Sequence, residues 1–122
     1  MARGDDLEER MIAFAVRVVN VSGNLPKTQA GRHIGDQLLR SGTSPAANYA
    51  EARRAESKRD FVHKLKICLK ELNEAHVWLR IIVGSIMLTE EKLQSLTTEC
   101  NELCKIISAS IKTSQATDKI NN

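Results

Sequence analysis

The amino-acid sequence predicts an all-α protein, an antiparallel up-down-up-down four-helix bundle. Apolar residues recur every three or four positions along nearly the whole chain, only six Gly and two Pro interrupt them, and the connecting segments are short. With 122 residues, 42% of them hydrophobic, the chain can bury the core of one domain. We therefore expect a single domain over residues 1–122, with a frayed polar tail from about residue 113.

Helix 1 is expected over residues 5–21, where acidic side chains suit the N-terminus and apolar residues follow with a heptad-like spacing. The same segment carries a second apolar strip, formed by Ile12, Val16 and Val19. A helix that buries one face in its own bundle needs no such second strip, so the strip indicates a further contact surface.

Helix 2 is expected to begin at Pro26, which suits a first helical position, and to continue to about residue 55. Pro45 lies inside this segment and removes a backbone donor. We therefore expect a kink or a break in helix 2 near residues 42–44. One seam of this helix is apolar and is expected to face the core: Ile34, Leu38, Pro45, Tyr49 and Ala52.

Helix 3 has the strongest periodicity in the chain. Ser57 is expected to cap it, with Asp60 three residues later as in a capping box. The expected seam alternates spacings of four and three: Phe61, Leu65, Cys68, Leu72, Ala75, Leu79, Ile82 and Ile86. Thr89 and two acidic residues are expected to start helix 4, whose seam is Leu93, Leu96, Cys100, Leu103 and Ile107.

The end of helix 3 is apolar on nearly every side over residues 77–83, whereas the outer face of a lone bundle is not covered. Together with the second strip on helix 1, this pattern favours self-association, with Val77, Trp78 and Ile81 as candidate interface residues. The alternative is that neighbouring helices wrap around this end.

A structural polar seam is expected along helix 2, because short polar side chains recur there at helical spacing. Its members are Gln37, Arg40, Ser41, Ser44, Asn48 and Glu51. Such groups are often buried and hydrogen-bonded, since an unpaired buried polar group costs about 1–3 kcal/mol. We expect the seam to hold Arg40 against Glu51 or Glu71 in a buried network that fixes helix pairing.

Positive charge is concentrated in the middle of the chain, where residues 25–88 carry eleven basic and six acidic side chains. The candidate nucleic-acid-binding residues are Lys27, Arg32, Arg40, Arg53, Arg54, Lys58, Arg59, Lys64, Lys66 and Lys70. The densest part runs from Arg53 to Arg59, and clustered cations of this kind can neutralise phosphates. No aromatic side chain interleaves the cluster, so base stacking is not indicated. The alternative is a solvated helix face laced with surface ion pairs.

The remaining chemistry points away from an enzyme. Three cysteines without a paired spacing argue against disulfides, and Cys100 and Cys104, one turn apart, have no matching ligand pair on a second helix. The sequence contains no Gly-rich phosphate loop and no nucleophile motif. It shows no signal peptide and no span long enough for a membrane. We expect a cytoplasmic protein with no cofactor, no metal and no membrane partner.

Several segments together resemble the bacterial four-helix bundle family encoded by intervening sequences of 23S ribosomal RNA genes. They are Leu25–Lys27, Gln37–Ser41, Ser44–Pro45, Asn48–Glu51, Asp60–Phe61, Leu69–Ala75 and Trp78–Arg80. The resemblance covers about nine-tenths of the chain. One departure is Ala52, where many family members carry Gly, at the corner between helices 2 and 3.

The resemblance implies an antiparallel four-helix bundle that assembles into a homo-oligomer, typically a pentameric ring. It also implies kinship with the accessory proteins of diversity-generating retroelements, which are basic pentameric barrels that bind nucleic acid and partner a reverse transcriptase. The expected function is therefore a non-enzymatic scaffold or accessory protein, with RNA or DNA as the ligand. The alternative is a protein-binding adaptor with no nucleic-acid role.

Overall fold

The computed structural model describes the backbone of residues 3–121 and the side chains of residues 4–116. It consists of four helices and no strand within these residues: α1 (Arg3–Gly23), α2 (Gln29–Arg53), α3 (Lys58–Gly84) and α4 (Glu90–Asn121). The predicted all-α bundle is confirmed, whereas fraying of the tail stays a prediction. No described helix is long and apolar enough to cross a lipid bilayer.

Interhelical contacts show that α1 runs in the opposite direction to both α2 and α4. Arg53 at the end of α2 reaches Asp5 near the start of α1. Along α1, Arg10 bonds Glu99, and the later Arg17 bonds the earlier Ser95 of α4. The helix pairs α1–α2, α2–α3 and α3–α4 pack extensively, whereas α1 and α4 touch sparsely.

The core is built from one apolar seam of each helix, because burying that seam removes hydrocarbon from water. The five predicted seam residues of α2 and the five of α4 are all buried. On α3 the expected seam is buried from Leu65 to Ile82, but its two ends differ from expectation. At the start of the helix Val62 is buried, and Phe61 is only half-buried.

Ile86 does not extend the α3 seam as expected. The helix ends at Gly84, and Ile86 lies in the following turn, where 84% of the residue is exposed. Its φ is +59°, in the left-handed region that disfavours β-branched side chains. The apolar spacing of α3 therefore extends to Ile86 in the sequence, although the helix itself ends at Gly84.

The start of α2 also differs from expectation, since Pro26 precedes the helix. Thr28 is the N-cap, and its Oγ1 accepts a hydrogen bond of 3.0 Å from the backbone N–H of Gly31. The helix therefore begins where a threonine hydroxyl can satisfy this otherwise unpaired donor. At the start of α3 the expected cap is present, with Ser57 Oγ accepting from the Asp60 N–H.

Helix α2 continues through Pro45 without the expected break. Before the proline, the hydroxyls of Ser41, Thr43 and Ser44 each donate to a carbonyl oxygen four residues earlier. Cys68 Sγ of α3 contacts the Pro45 carbonyl oxygen at 3.5 Å. Pro45 therefore lies in an unbroken helix whose preceding turn carries these side-chain hydrogen bonds, and a bend at this position remains a prediction.

Candidate functional surfaces

The corner expected to be the densest free cation cluster is occupied by acidic side chains of α1. Arg53 donates to Asp5 and, at 3.2 Å, to Glu8, and Arg54 lies 3.6 Å from Glu8. The hydrogen bond to Asp5 is the largest cause that raises the pKa of Arg53 above its ordinary value. These two arginines therefore pin the start of α1 to the end of α2, which reduces their availability to phosphate.

Two more of the candidate cations pair with carboxylates along the boundary between α2 and α3. Arg40 bonds Glu71 at 2.7 Å and also bonds Glu74, and Lys64 bonds Glu51 at 3.1 Å. The expected contact of Arg40 with Glu71 is thus present, and the one with Glu51 is not. The Arg40 side chain is 48% exposed, so this is a surface ion pair and not part of a buried network.

Most residues of the polar seam of α2 are partly exposed, so the seam is not the buried network that was expected. Only Ser41 is fully buried, Gln37, Ser44 and Asn48 are half-buried, and Glu51 is exposed. The hydroxyls of Ser41 and Ser44 donate to carbonyl oxygens of their own helix. The physical reason is position: the neighbouring apolar seam takes the core-facing side, which leaves the polar seam at the rim where α2 meets α3.

The cations of α3 form a separate stripe. Arg59, Lys66 and Lys70 are exposed, and together with His63 they recur at spacings of four, three and four, so they share one helix face. Among the residues that the structure describes, none of these three cations is paired with a carboxylate. Lys58 is the first residue of this helix and lies beside them in the chain.

Helix α4 contributes two further cations beside this stripe. A groove of about 420 Å³ is lined by Arg59, Val62, His63, Lys66 and Gln115. A second groove of about 430 Å³ is lined by Leu69, Asn73, Cys104, Lys105, Ser108, Ala109 and Lys112. Both grooves lie between the same two helices, and no carboxylate is among their described lining residues. We call this surface, with the adjoining Lys70, the α3–α4 groove.

The last two candidate cations lie far from this groove. Lys27 belongs to the connection between α1 and α2, and Arg32 is in the first turn of α2, where its guanidinium donates to the Lys27 carbonyl oxygen at 3.0 Å. In the antiparallel bundle this is the end opposite to the start of α3. The ten candidate cations therefore do not form one continuous patch.

An apolar face covers the outer side of α1 and α2. Ile12, Val16 and Val19 are 42%, 55% and 50% exposed, and Leu39 of α2 is 38% exposed. Val19 and Leu39 line one common groove between the two helices. We call these four residues the α1–α2 apolar face; its α1 part is the second strip expected from the sequence.

The other candidate interface residues are only partly available. Val77 is 49% exposed, whereas Trp78 and Ile81 are half-buried. The Trp78 ring packs edge-on against His33 of α2, with 6.1 Å between the ring centroids, and its Nε1 is buried without an acceptor among the described residues. Neighbouring helices therefore wrap part of this region, and about half of Val77 remains exposed.

These features define the class of the protein: an all-α, four-helix bundle with a cationic groove on one side and an apolar face on another. The family model described as 23S rRNA-intervening sequence protein matches residues 6–109, and the chain belongs to this family.

A solved structure supports the same assignment. The chain is similar to the crystal structure of a protein with unknown function from the S23 ribosomal protein family of Bacteroides thetaiotaomicron VPI-5482. The two share 36% sequence identity with a TM-score of 0.84, over 91% of this chain and 99% of the other. A comparison with curated proteins finds no match for the chain.

Two site residues were missed by reasoning from the sequence, Lys105 and Lys112 of α4. They follow one another at a spacing of seven, which places them on similar sides of the helix. The antiparallel pairing of helices 3 and 4 was expected, and aligning the two helices residue by residue would have brought this part of helix 4 beside the middle of helix 3. The signal was therefore present, but it depends on the register between two helices and not on any local motif.

Proposed function

We propose that this protein is a non-enzymatic, self-associating scaffold that binds the phosphate backbone of RNA or DNA through the α3–α4 groove. The observation that supports binding is a groove lined from both helices by Arg59, Lys66, Lys105 and Lys112, without a carboxylate among its described lining residues. A cation that is already paired with a carboxylate, such as Arg53, would have to give up that carboxylate in order to bind a phosphate. The cations of the α3–α4 groove would not.

The chemistry of the groove favours binding that is sensitive to salt and tolerant of sequence. Five cations, with Lys70 included, would release about five counterions if each met one phosphate. The logarithm of the binding constant would then fall with the logarithm of the salt concentration with a slope of about −3.5 on single strands and about −4.5 on duplex DNA. The described lining residues of the groove include no aromatic ring for base stacking.

Self-association is supported by the α1–α2 apolar face, which a lone protomer leaves in water. The ring of five subunits that the family resemblance implies is part of this proposal. Such a ring would present several copies of the groove to one nucleic acid, and this would raise the affinity of a modest patch through multivalency. A reverse transcriptase as protein partner, implied by the kinship with retroelement accessory proteins, stays a prediction.

Charge reversal of the groove tests binding directly. We expect Lys66→Glu with Lys70→Glu to weaken binding to a structured RNA by at least about tenfold at low salt, and to flatten the salt slope by about two. Fluorescence anisotropy over a salt titration measures both quantities. The control is Lys27→Glu with Lys92→Glu, which changes the net charge equally at the other end of the bundle.

The two pairs of substitutions separate a local site from a general charge effect. Equal weakening by both pairs would contradict the assignment of binding to the groove. No detectable binding of RNA or duplex DNA by the unmodified protein at low salt would overturn the proposal and leave the protein-binding adaptor.

A charge placed in the apolar face tests self-association. We expect the unmodified protein to sediment as an oligomer at micromolar concentration and Val16→Glu to sediment as a smaller species, because assembly would bury the new carboxylate. Val16 is exposed in the protomer, so folding should be retained. Asn101→Glu on α4, also at an exposed position, is the control. A monomeric unmodified protein, or unchanged assembly of Val16→Glu, would contradict the proposed surface.

A further inference from the structure

The residues of the α3–α4 groove differ in charge according to their depth. Its five cations are all exposed: Arg59, Lys66, Lys70, Lys105 and Lys112. The deeper lining residues are uncharged, since Val62 is buried and Leu69, Cys104 and Ser108 are half-buried. The groove therefore has a cationic rim along each helix and an uncharged, mainly apolar floor, which consists of these four deeper residues.

The dimensions of the groove suit one nucleic-acid strand. On α3 the cations extend from Arg59 to Lys70, which is about 16 Å along the helix axis. On α4 Lys105 and Lys112 are about 10 Å apart along the axis. The axes of two packed helices lie about 8–10 Å apart. A space of this width accepts a single extended strand, whereas a double helix, whose major groove alone is about 12 Å wide, is too broad to reach the floor.

The uncharged floor distinguishes unpaired from paired bases. In a duplex the bases are stacked and paired inside, so its phosphates could meet the rims but no base could cover the floor. In a single strand the bases are free to turn inward, and their apolar faces can pack on Leu69. Asn73 and Ser108 line the same part of the groove, and their amide and hydroxyl groups can hydrogen-bond base edges or sugars without any change in charge.

We propose that the α3–α4 groove selects single-stranded over double-stranded nucleic acid, with the phosphates on the two rims and the bases on the floor. The inference rests on the proposed function, because it specifies which form of nucleic acid the same groove binds. Charge alone favours the opposite order, since a duplex carries one negative charge per about 1.7 Å and each of its strands one per about 3.4 Å. A preference for the single strand would therefore have to come from the floor.

A matched pair of probes tests this selectivity. A fluorescein-labelled DNA strand of about twelve nucleotides, without self-complementarity, is titrated with the full-length protein either alone or annealed to its complement. We expect the Kd for the single strand to be at least about tenfold lower than the Kd for the duplex at the same low salt concentration. Equal or tighter binding of the duplex would overturn the inference and leave the proposed function intact. Binding of neither probe would overturn both.

A substitution in the floor that leaves the charge unaltered tests the role of the floor itself. Ser108→Gln adds an uncharged side chain to the groove, and glutamine is the better helix former. We expect this variant to bind the single strand at least about fivefold more weakly, because the longer side chain occupies the space of a base. The salt slope should be unchanged, since no cation is lost.

Thr98→Gln is the control for the floor substitution. Thr98 is exposed and lies beside Arg17, on the side of α4 that faces α1. Circular dichroism establishes that both variants are folded, and the same anisotropy titration compares their affinities for the single strand. If Ser108→Gln bound the strand as tightly as Thr98→Gln, the bases would not be lying on the floor and the inference would be wrong.

Discussion

Gly31→Ala is expected to lower the free energy of unfolding by about 3 kcal/mol, although alanine is the better helix former. A Cβ at this position would overlap the Pro26 carbonyl oxygen and lie 3.2 Å from Thr28 Oγ1. The Thr28 hydroxyl holds the Gly31 N–H in the cap of α2, so the turn cannot move away without losing that hydrogen bond. Urea unfolding followed by circular dichroism measures the change.

Gly84→Ala is the matched control for this substitution. The same methyl group at position 84 would meet no atom within 4 Å, and the residue ends α3. We expect a neutral effect or a gain of up to about 1 kcal/mol from the reduced freedom of the unfolded chain. If Gly31→Ala proved as mild as Gly84→Ala, the close approach of the chain at the start of α2 would be refuted.

Gly42→Leu is expected to destabilise the protein by at least about 3 kcal/mol. Gly42 is buried where α2 crosses α1, and a Cβ there would lie 2.7 Å from both methyl carbons of Val18. The branched Val18 side chain is itself fully buried, so a leucine can fit only if the two helices separate. Thermal and urea unfolding both measure this loss.

The control for Gly42→Leu is Ala47→Leu, at an exposed position of the same helix, which should change stability little. A second variant combines Gly42→Leu with Val18→Ala, which makes room at the crossing. We expect the pair to be less destabilised than the sum of the single changes by about 1 kcal/mol or more. If the two stability changes were strictly additive, the Val18 side chain would not be the group with which the new leucine collides.

Much of the fold could be predicted because it depends on local periodicity. The α4 seam from Leu93 to Ile107 is buried as expected, and Ser57 caps α3 as its position indicated. The features that differ from the prediction are at helix ends, where a side-chain hydrogen bond or a backbone dihedral angle determines at which residue the helix begins or ends. Helix α2 begins after Thr28, which caps it, and not at Pro26 as expected, and Ile86 adopts a positive φ where the apolar period predicted helix.

The candidate surface was harder to predict because charge pairing is not local. Arg53 and Asp5 are 48 positions apart, so the sequence shows two opposite clusters but not that they neutralise one another. Lys112 joins the groove from residues 89–122, where four basic and five acidic side chains gave no reason to include it. The composition indicated cations in the middle of the chain, and only the helix register shows which of them lie together without a carboxylate partner.

Because α1 and α4 contact one another only sparsely, the four helices differ in how firmly they are packed into the bundle. Each of these two helices packs mainly against one neighbour, whereas α2 and α3 each pack against two helices. Local opening should therefore start at the outer helices and reach the central pair last. A change in the tilt of α1 is therefore expected to cost less than any change within the α2–α3 hairpin.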